Sequence, residues 1–218
     1  MLDVRGRMCV VIGAGEVGMR KVQGLLAAGA RVRLVDEQPV DPACLELIRP
    51  DASADASPPG APAGVEIIQA AYSKEQLAGA LLVFSCTDDR AVNARVAQDA
   101  RSTGAMVNAA DQPEDCDFFA PAVINDGDVV VAIGTGGSAP GMAAFLRRRL
   151  TEGLPPQIGA FAAELTHLRD EVRKSCPDNA LRMSTMKTLA GERGYDVFVA
   201  QGQAGLRELL RELLRRKD

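Results

Sequence analysis

Tryptophan is absent from this chain of 218 residues, and aromatic side chains make up only 4% of it. The 25 lysine and arginine residues are outnumbered by 29 aspartate and glutamate residues, which gives a formal net charge of −4 at pH 7. A nucleic-acid surface usually combines a basic field with aromatic side chains on which bases stack. The composition therefore argues against a nucleic-acid partner and favours a small-molecule ligand.

Closely spaced cysteines and long apolar runs are also missing. The five cysteines lie far apart without a Cys-x-x-Cys pair, which disfavours both a zinc site and a disulfide framework. No apolar run approaches the roughly 18 residues that a membrane helix needs, and the N-terminus lacks the pattern of a signal peptide. We therefore expect a cytoplasmic protein with reduced thiols, no membrane contact and no bound metal.

The sequence VVIGAGEVGMRK, residues 10–21, contains three glycines in G-x-G-x-x-G spacing. A β-branched apolar run precedes them and apolar residues at helical spacing follow, which predicts a strand, a tight turn and a helix. In this motif Gly13 permits the turn, Gly15 lets the backbone approach a pyrophosphate, and Gly18 allows the helix to pack closely on the strand. N–H groups at the start of the helix would face the phosphates. The predicted cofactor contacts are Gly13, Ala14, Gly15, Glu16, Val17 and Gly18.

A carboxylate follows at the position that such a site requires. The second predicted strand, RVRLVD, ends at Asp36, 18 residues after Gly18. A carboxylate there can accept hydrogen bonds from both ribose hydroxyls and would repel a 2′-phosphate, so the predicted cofactor is NAD rather than NADP. The alternative is a glycine-rich turn in an α/β domain that binds nothing.

Three further strands and two helices complete the predicted parallel sheet. In chain order these are strand 65–69, helix 74–80, strand 81–86, helix 91–102 and strand 105–108, after a loop over residues 51–64 that is rich in Ala, Ser, Pro and Gly. Thr87 and Asp88 follow the fourth strand, where side chains line the ligand crevice of such sheets, so we expect them beside the cofactor. Asp88 or Asp89 could instead cap the next helix, and for Asp89 the cap is favoured.

Four segments together resemble the precorrin-2 dehydrogenase family, the N-terminal module of siroheme synthases that oxidises precorrin-2 to sirohydrochlorin. The segments are VVIGAGEVGMRKVQGLLAAGA, SCTDDRAVNARV, VNAADQPEDCDFFAPAVI and VVVAIGTGGSAPGMAAFLRRRL. The segment GTGGSAPGMA is far more specific than the glycine motif, because ordinary dehydrogenases have nothing like it after the sheet. No methyltransferase domain follows Asp218, so the resemblance implies that another protein makes the precorrin-2.

The resemblance implies an α/β fold with a Rossmann-like parallel sheet, a dimerisation segment and a C-terminal helical domain. We place the NAD-binding domain at residues 1–113, the dimerisation segment at 114–150 and the substrate-covering helices at 151–218. The apolar runs FFAPAVIN and DVVVAIG could form a hairpin or continue into a partner's sheet, and a helix with Met142 and Phe145 on one face should follow. Because these surfaces are too apolar to stay exposed, we expect a homodimer.

Dehydrogenation needs a base near the nicotinamide, and the resemblance assigns that role to Asp111. The position of Asp111 after the fifth strand suits a base, although the following Gln112 and Pro113 would on their own indicate a turn. Precorrin-2 carries eight carboxylates, for which hydroxyls, backbone N–H groups and an arginine are suitable partners. The substrate-binding residues implied are Asn108, Thr135, Ser138 and Arg147.

Two alternatives stay open at this point. Some family members also insert Fe²⁺ into sirohydrochlorin, a reaction that Asp111 and the lone histidine, His167, could share, although an isolated surface histidine usually has no function. A non-catalytic NAD-sensing module would keep the glycine turn and Asp36. Such a sensor would not need a substrate loop or a helical cover.

Overall fold

The computed structural model describes residues 2–43, 64–110 and 112–215. It contains two compact units, Met1–Ala120 and Pro121–Asp218. Asp111 and nearly all of the loop predicted over residues 51–64 lie outside the described residues. The three-part division at residues 113 and 150 is a division by role, and it stays a prediction.

The first unit is built on a five-stranded parallel sheet with the strand order β3-β2-β1-β4-β5. Its elements are β1 (Met8–Ile12), α1 (Glu16–Ala27), β2 (Arg31–Asp36), β3 (Val65–Gln69), β4 (Leu82–Ser85), α2 (Arg90–Thr103) and β5 (Met106–Ala109). The helix predicted over 74–80 is only a short 3-10 helix, Lys74–Leu77, in which Ser73 and Gln76 form a capping box. Gly79, with φ +74°, lies in the left-handed region just beyond it, which prevents the α-helix from continuing.

Both faces of this sheet are covered, which explains why the central strands are continuously apolar. On one face, Val11 and Leu34 pack with Val22 and Leu25 of α1. On the other face, Val10 and Val83 pack with the residues around Val96 of α2. The sheet register places Ile12 beside both Val35 and Ser85, so the carboxyl ends of β1, β2 and β4 meet at one edge.

The second unit is a β-hairpin followed by four helices. The hairpin pairs β6 (Ala122–Asp126) with β7 (Val129–Ile133) in antiparallel register, which confirms the hairpin alternative. The helices are α3 (Pro140–Gly153), α4 (Ile158–Ser175), α5 (Asn179–Leu189) and α6 (Glu192–Arg215), the last of which is kinked at Gly202. In the part of the chain that the structure describes, none of the helices is both long and apolar enough to cross a membrane.

The last three helices share one core. Its fully buried side chains include Leu168 of α4, Leu189 of α5 and Leu206 of α6. The apolar stripe predicted for residues 158–172 therefore packs inward, as do the leucines of the C-terminal helix. The hairpin joins α4 through Asp126, whose carboxylate accepts a hydrogen bond of 2.9 Å from the N–H of Gly159.

Candidate functional site

The glycine turn between β1 and α1 has the shape that the sequence predicted. Gly13 has a φ of +101°, and a Cβ there would lie 2.7 Å from the backbone carbonyl of Cys86. A Cβ on Gly18 would overlap the carbonyl oxygen of Gly13. Gly15, by contrast, faces open space with no atom within 4 Å of a Cβ. Gly13 and Gly18 therefore allow β1, β4 and α1 to pack closely against one another, while Gly15 leaves room for a ligand.

Asp36 lies against this turn. Its Oδ2 accepts a hydrogen bond of 2.6 Å from the N–H of Ala14, and its Oδ1 accepts one of 2.8 Å from the N–H of Gln38. A carboxylate oxygen has two lone pairs, so each oxygen can accept a further bond from a hydroxyl. The end of β2 and the glycine turn are thus joined by one carboxylate that still has acceptor capacity.

A cavity of about 300 Å³ opens at the carboxyl edge of the sheet. Five of the predicted cofactor contacts line it, namely Gly13, Gly15, Asp36, Thr87 and Asp88. The other four, Ala14, Glu16, Val17 and Gly18, lie in the turn or the first turns of α1. The cavity combines a carboxylate, backbone groups and apolar walls, a combination that fits the adenosine half of a dinucleotide.

Sequence reasoning missed the apolar wall of this cavity. Val35, Ala70, Tyr72 and Val92 line it alongside the predicted residues. The Tyr72 hydroxyl donates to Asp99 at 3.0 Å, and burial together with this bond raises the pKa of Tyr72 far above its usual value. The signal that could have found it is its position three residues after β3, at the same edge as Asp36.

Thr87, Asp88 and Asp89 follow β4, and each has a different role. The Thr87 hydroxyl donates to Oδ1 of Asn93 at 2.7 Å, which holds the start of the loop. Asp89 caps α2, because its Oδ1 accepts from the N–H groups of Ala91 at 2.8 Å and Val92 at 3.2 Å. The capping alternative is therefore confirmed for Asp89. Asp88 lines the cavity and is not the capping residue.

The chain leaving β5 folds back along that strand, on either side of the position of Asp111. Asp117 donates its N–H to the Val107 carbonyl at 2.8 Å and accepts the Val107 N–H at 3.0 Å through Oδ2. The Cys116 sulfur accepts the N–H of Ala109 at 3.3 Å. Asn108 is buried, and its side-chain amide donates to the Phe118 carbonyl at 2.9 Å. Residues 107–109 and 116–118 are thus held together, and Asp111 lies between them in the sequence.

The pKa values of two groups in this segment differ from their usual values. Burial alone would raise the pKa of Asp117, but the hydrogen bond from Val107 and the Arg101 guanidinium outweigh it, so this pKa lies below its usual value. The Arg101 Nε lies 2.9 Å from the carboxylate. For Cys116, burial raises the pKa of the thiol, which keeps the sulfur protonated at neutral pH.

The predicted site residues of the second unit lie on its surface. The Ser138 hydroxyl donates to the Thr135 carbonyl at 2.7 Å, and α3 begins after Ala139 without a side-chain cap. Arg147 is exposed on α3, and His167 is exposed on α4. Across residues 2–43, 64–110 and 112–215, no group of three or more His, Cys, Asp and Glu side chains is placed to hold a metal ion.

The glycine turn, the carboxylate that ends β2 and the cavity beside them define a Rossmann-type dinucleotide-binding protein. The chain belongs to the family described as "Putative NAD(P)-binding", whose model matches residues 1–122. The α/β fold predicted from the sequence is therefore confirmed, and so is a nicotinamide dinucleotide as the cofactor.

Curated relatives extend the similarity beyond this domain. The chain is 36% identical to the siroheme synthase of Nitrosospira multiformis over 213 residues, which are 97% of this chain and 43% of that protein. It is also 36% identical to the siroheme synthase of Methylococcus capsulatus, over 87% of this chain and 38% of that one. The chain thus spans about two fifths of the length of these relatives. The resemblance drawn from the sequence motifs is confirmed.

A solved structure has the same fold along the whole chain. It is described as SirC, precorrin-2 dehydrogenase, and matches with a TM-score of 0.74 over 99% of this chain and 98% of its own. The two sequences are 20% identical. The likeness covers the helical unit as well as the dinucleotide-binding unit.

Proposed function

We propose that this protein dehydrogenates precorrin-2 to sirohydrochlorin with NAD as the hydride acceptor. The macrocycle loses two hydrogens, one as a hydride to NAD⁺ and one as a proton, so the products are sirohydrochlorin, NADH and H⁺. The observation that supports this most strongly is the cavity beside Asp36 and the glycine turn, in a chain that aligns over 97% of its length with a siroheme synthase. Only two fifths of that relative is matched, so the activity is inferred for this chain rather than transferred from it.

The first unit would bind and orient the cofactor. The backbone from Gly13 to Gly18 would approach the pyrophosphate, because Gly15 leaves the space in front of the turn open. Asp36 would accept the ribose hydroxyls with the lone pairs that Ala14 and Gln38 leave unused. A carboxylate here repels a 2′-phosphate, which favours NAD over NADP. Thr87 and Asp88 would lie along the same cavity.

The proton would pass to Asp111. This residue follows β5, whose carboxyl end lies at the same sheet edge as the glycine turn. The segment after it in the sequence is bound to β5 through Cys116 and Asp117. A carboxylate is a suitable base when hydride transfer leaves a proton to be removed from the same macrocycle.

The substrate carboxylates would contact the second unit. Thr135, Ser138 and Arg147 are the residues we assign to them. Among the residues that the structure describes, no ion pair is formed by Arg147, whereas its neighbour Arg149 lies 3.6 Å from Glu152. An exposed and unpaired guanidinium is suited to bidentate binding of a carboxylate.

The test is the absorption spectrum of precorrin-2 incubated with the purified protein and NAD. We expect conversion to the sirohydrochlorin chromophore with formation of NADH. Gly15→Asp should abolish the conversion, because a carboxylate would occupy the pyrophosphate position and repel its charge. Gly24→Asp is the matched control, since it places the same side chain in open space on the exposed face of α1. NAD binding without any spectral change would instead establish the NAD-sensing alternative.

Asp111→Ala tests the base. We expect conversion to fall while NAD binding is retained, and full activity in this variant would show that another group takes the proton.

The same samples can be assayed for Fe²⁺ insertion into sirohydrochlorin above the uncatalysed rate. If that activity is present, Gly15→Asp should spare it, because metal insertion does not use NAD. Its absence in the parent would leave His167 an ordinary surface residue.

We infer that the protein forms a homodimer through residues 114–150. Val130, Met142, Phe145 and Leu150 of the hairpin and α3 are between 41% and 53% exposed. Large apolar side chains that are exposed on neighbouring elements are typical of a protein interface. Light scattering at micromolar concentration should give twice the 23.0 kDa of one chain. Phe145→Glu should give the monomer mass, whereas Val199→Glu, at a similarly exposed apolar residue of α6, should not. A folded parent protein of monomer mass would contradict the assignment.

A further inference from the structure

A second cavity of about 300 Å³ lies within the helical unit, between α4 and α5. Its wall carries three arginines, Arg169, Arg173 and Arg182, together with the amide of Asn179. None of these residues belongs to the predicted cofactor, catalytic or substrate sites. In a chain with a net charge of −4, such a grouping of cations around one cleft calls for a ligand of negative charge.

Two of the arginines are presented from the same face of α4. Arg169 and Arg173 are four residues apart, so they lie one above the other. Asp170 is three residues before Arg173 and lies about 60° from it around the helix, whereas Glu171 lies about 160° away from both arginines. Like charges at this spacing oppose each other by a few tenths of a kcal/mol. Among the residues that the structure describes, neither guanidinium forms an ion pair. Their charges therefore remain available to an anion.

Arg182 faces them from α5 and is already held in place. Its Nη1 donates to the Cys176 carbonyl at 3.1 Å, and its Nη2 donates to Oδ1 of Asn179 at 3.1 Å. A guanidinium has five N–H donors, so three remain after these two bonds. Fixing the guanidinium in advance reduces the entropy that a ligand must remove when it binds.

The floor of the cavity is apolar. Val172 is 1% exposed and forms its base, while Met186 and Met183, the latter 68% exposed, line its side. Methionine side chains are flexible and adapt to flat apolar or aromatic surfaces. A small inorganic anion would pair with the arginines but leave the exposed side chain of Met183 in contact with water. The lining therefore suits a ligand that joins several anionic groups to an apolar framework.

We propose that this cleft binds the carboxylated edge of a tetrapyrrole, with the arginines holding carboxylates and the methionines contacting the macrocycle. The choice of a tetrapyrrole rests on the proposed function, whereas the requirement for an apolar polyanion follows from the lining alone. Arginine suits this role because its planar fork matches a carboxylate in bidentate geometry. The helical unit thereby takes part in substrate binding with residues that lie outside the GTGGSAPGMA segment.

The test measures binding of the octacarboxylated porphyrin uroporphyrin to the full chain by its fluorescence, without NAD. The double variant Arg169→Gln/Arg173→Gln should weaken this binding at least tenfold, and coproporphyrin, with four carboxylates, should bind the parent less tightly. Arg211→Gln is the control, because Arg211 is an exposed arginine of α6 that already pairs with Glu208 at 2.8 Å. Circular dichroism and NAD binding should be unchanged in both variants.

Equal uroporphyrin affinity in the parent and the double variant would overturn the assignment. Displacement of uroporphyrin by an equal concentration of inorganic phosphate would also overturn it, since it would reveal a site for small anions only. Uroporphyrin is already fully oxidised, so its binding does not depend on dehydrogenation. A protein that binds uroporphyrin through these arginines but leaves precorrin-2 unchanged would retain this site and refute the proposed activity.

Discussion

The two units of the molecule place their candidate functional groups in different ways. In the first unit the cavity lies at the carboxyl ends of buried strands, and a single carboxylate joins β2 to the glycine turn. In the second unit the candidate groups are exposed side chains on a loop and on helix faces, and apolar side chains of α3 are half exposed beside them. The first site therefore depends on close packing of backbone, while the second depends on surfaces that a substrate or a second copy would cover.

The largest expected effect is in the packing of the first unit. Gly18→Ala should lower the free energy of unfolding by about 3 kcal/mol or more, because the new Cβ overlaps the Gly13 carbonyl oxygen and cannot move away without displacing α1. Gly24→Ala, in the same helix but facing open space, should instead raise it by roughly 1 kcal/mol. Urea unfolding followed by circular dichroism measures both. Equal stability of the two variants would show that the turn is not tightly packed.

The next effect concerns the carboxylate that ends β2. Asp36→Ala should weaken NAD binding about 10- to 100-fold, the equivalent of roughly 1.5–3 kcal/mol for hydrogen bonds to a charged group, and should narrow the preference for NAD over NADP. Asp36→Asn removes the charge but keeps one oxygen that can accept the Ala14 N–H. This variant therefore distinguishes the repulsion of a 2′-phosphate by the charge from the contribution of the hydrogen bond to the turn. Titration calorimetry with both cofactors gives the affinities. Equal affinity of the parent for NAD and NADP would refute the assignment.

A smaller effect is expected at the return segment along β5. The pKa of Asp117 is lowered in the folded protein, so its ionised form stabilises the fold above the usual carboxyl pKa of about 4, and this contribution is lost as pH falls through the lowered value. Asp117→Asn should cost roughly 1 kcal/mol at pH 7, because the carboxylate is partly exposed, and should flatten the loss of stability between pH 5 and pH 2. Asp115→Asn serves as the neighbouring control. Parallel pH profiles for the parent and Asp117→Asn would contradict the assignment.

The smallest expected effect concerns an aspartate helix cap that occurs in both units. Asp89 caps α2 and Asp178 caps α5, each by accepting two backbone N–H groups. Either change to alanine should cost about 1 kcal/mol of stability. Only Asp89→Ala should also weaken NAD binding, because Asp89 also lines the cavity that we propose for NAD. A loss of NAD affinity in Asp178→Ala would show that the two units do not act separately in cofactor binding.

The sequence predicted the first unit well because its signals are local and backbone-based. Few residue types are possible at these positions. Gly13 is in a left-handed turn and Gly18 allows a close approach of the backbone, so both require glycine. Asp36 supplies the carboxylate that a dinucleotide site requires at the end of the second strand. Tyr72 was missed because it is far from Asp36 in the sequence, and its position three residues after β3 indicates the cavity only once β3 is known to pair with β2. Contacts between residues that are distant in sequence carry no local pattern.

The second unit was predicted in outline, but the arginines of its cleft were not. Helical periodicity identified the stripe from Ile158 to Val172, because a buried face repeats every three to four residues. The grouping of Arg169 and Arg173 with Arg182 was missed, because their spacing looks like an ordinary solvated helix face. Only the packing of α4 against α5 shows that these charges surround one cleft.

The return of the chain along β5 has a consequence for the behaviour of the protein in concentrated or acidic solution. β5 is an edge strand, and its outward N–H groups at Val107 and Ala109 would offer a template for a strand of another molecule. Asp117 and Cys116 occupy both of these donors with side-chain acceptors. Protonation of Asp117 would remove its ion pair with Arg101 and weaken the acceptor at the Val107 N–H, so the cover of this edge should loosen in acid.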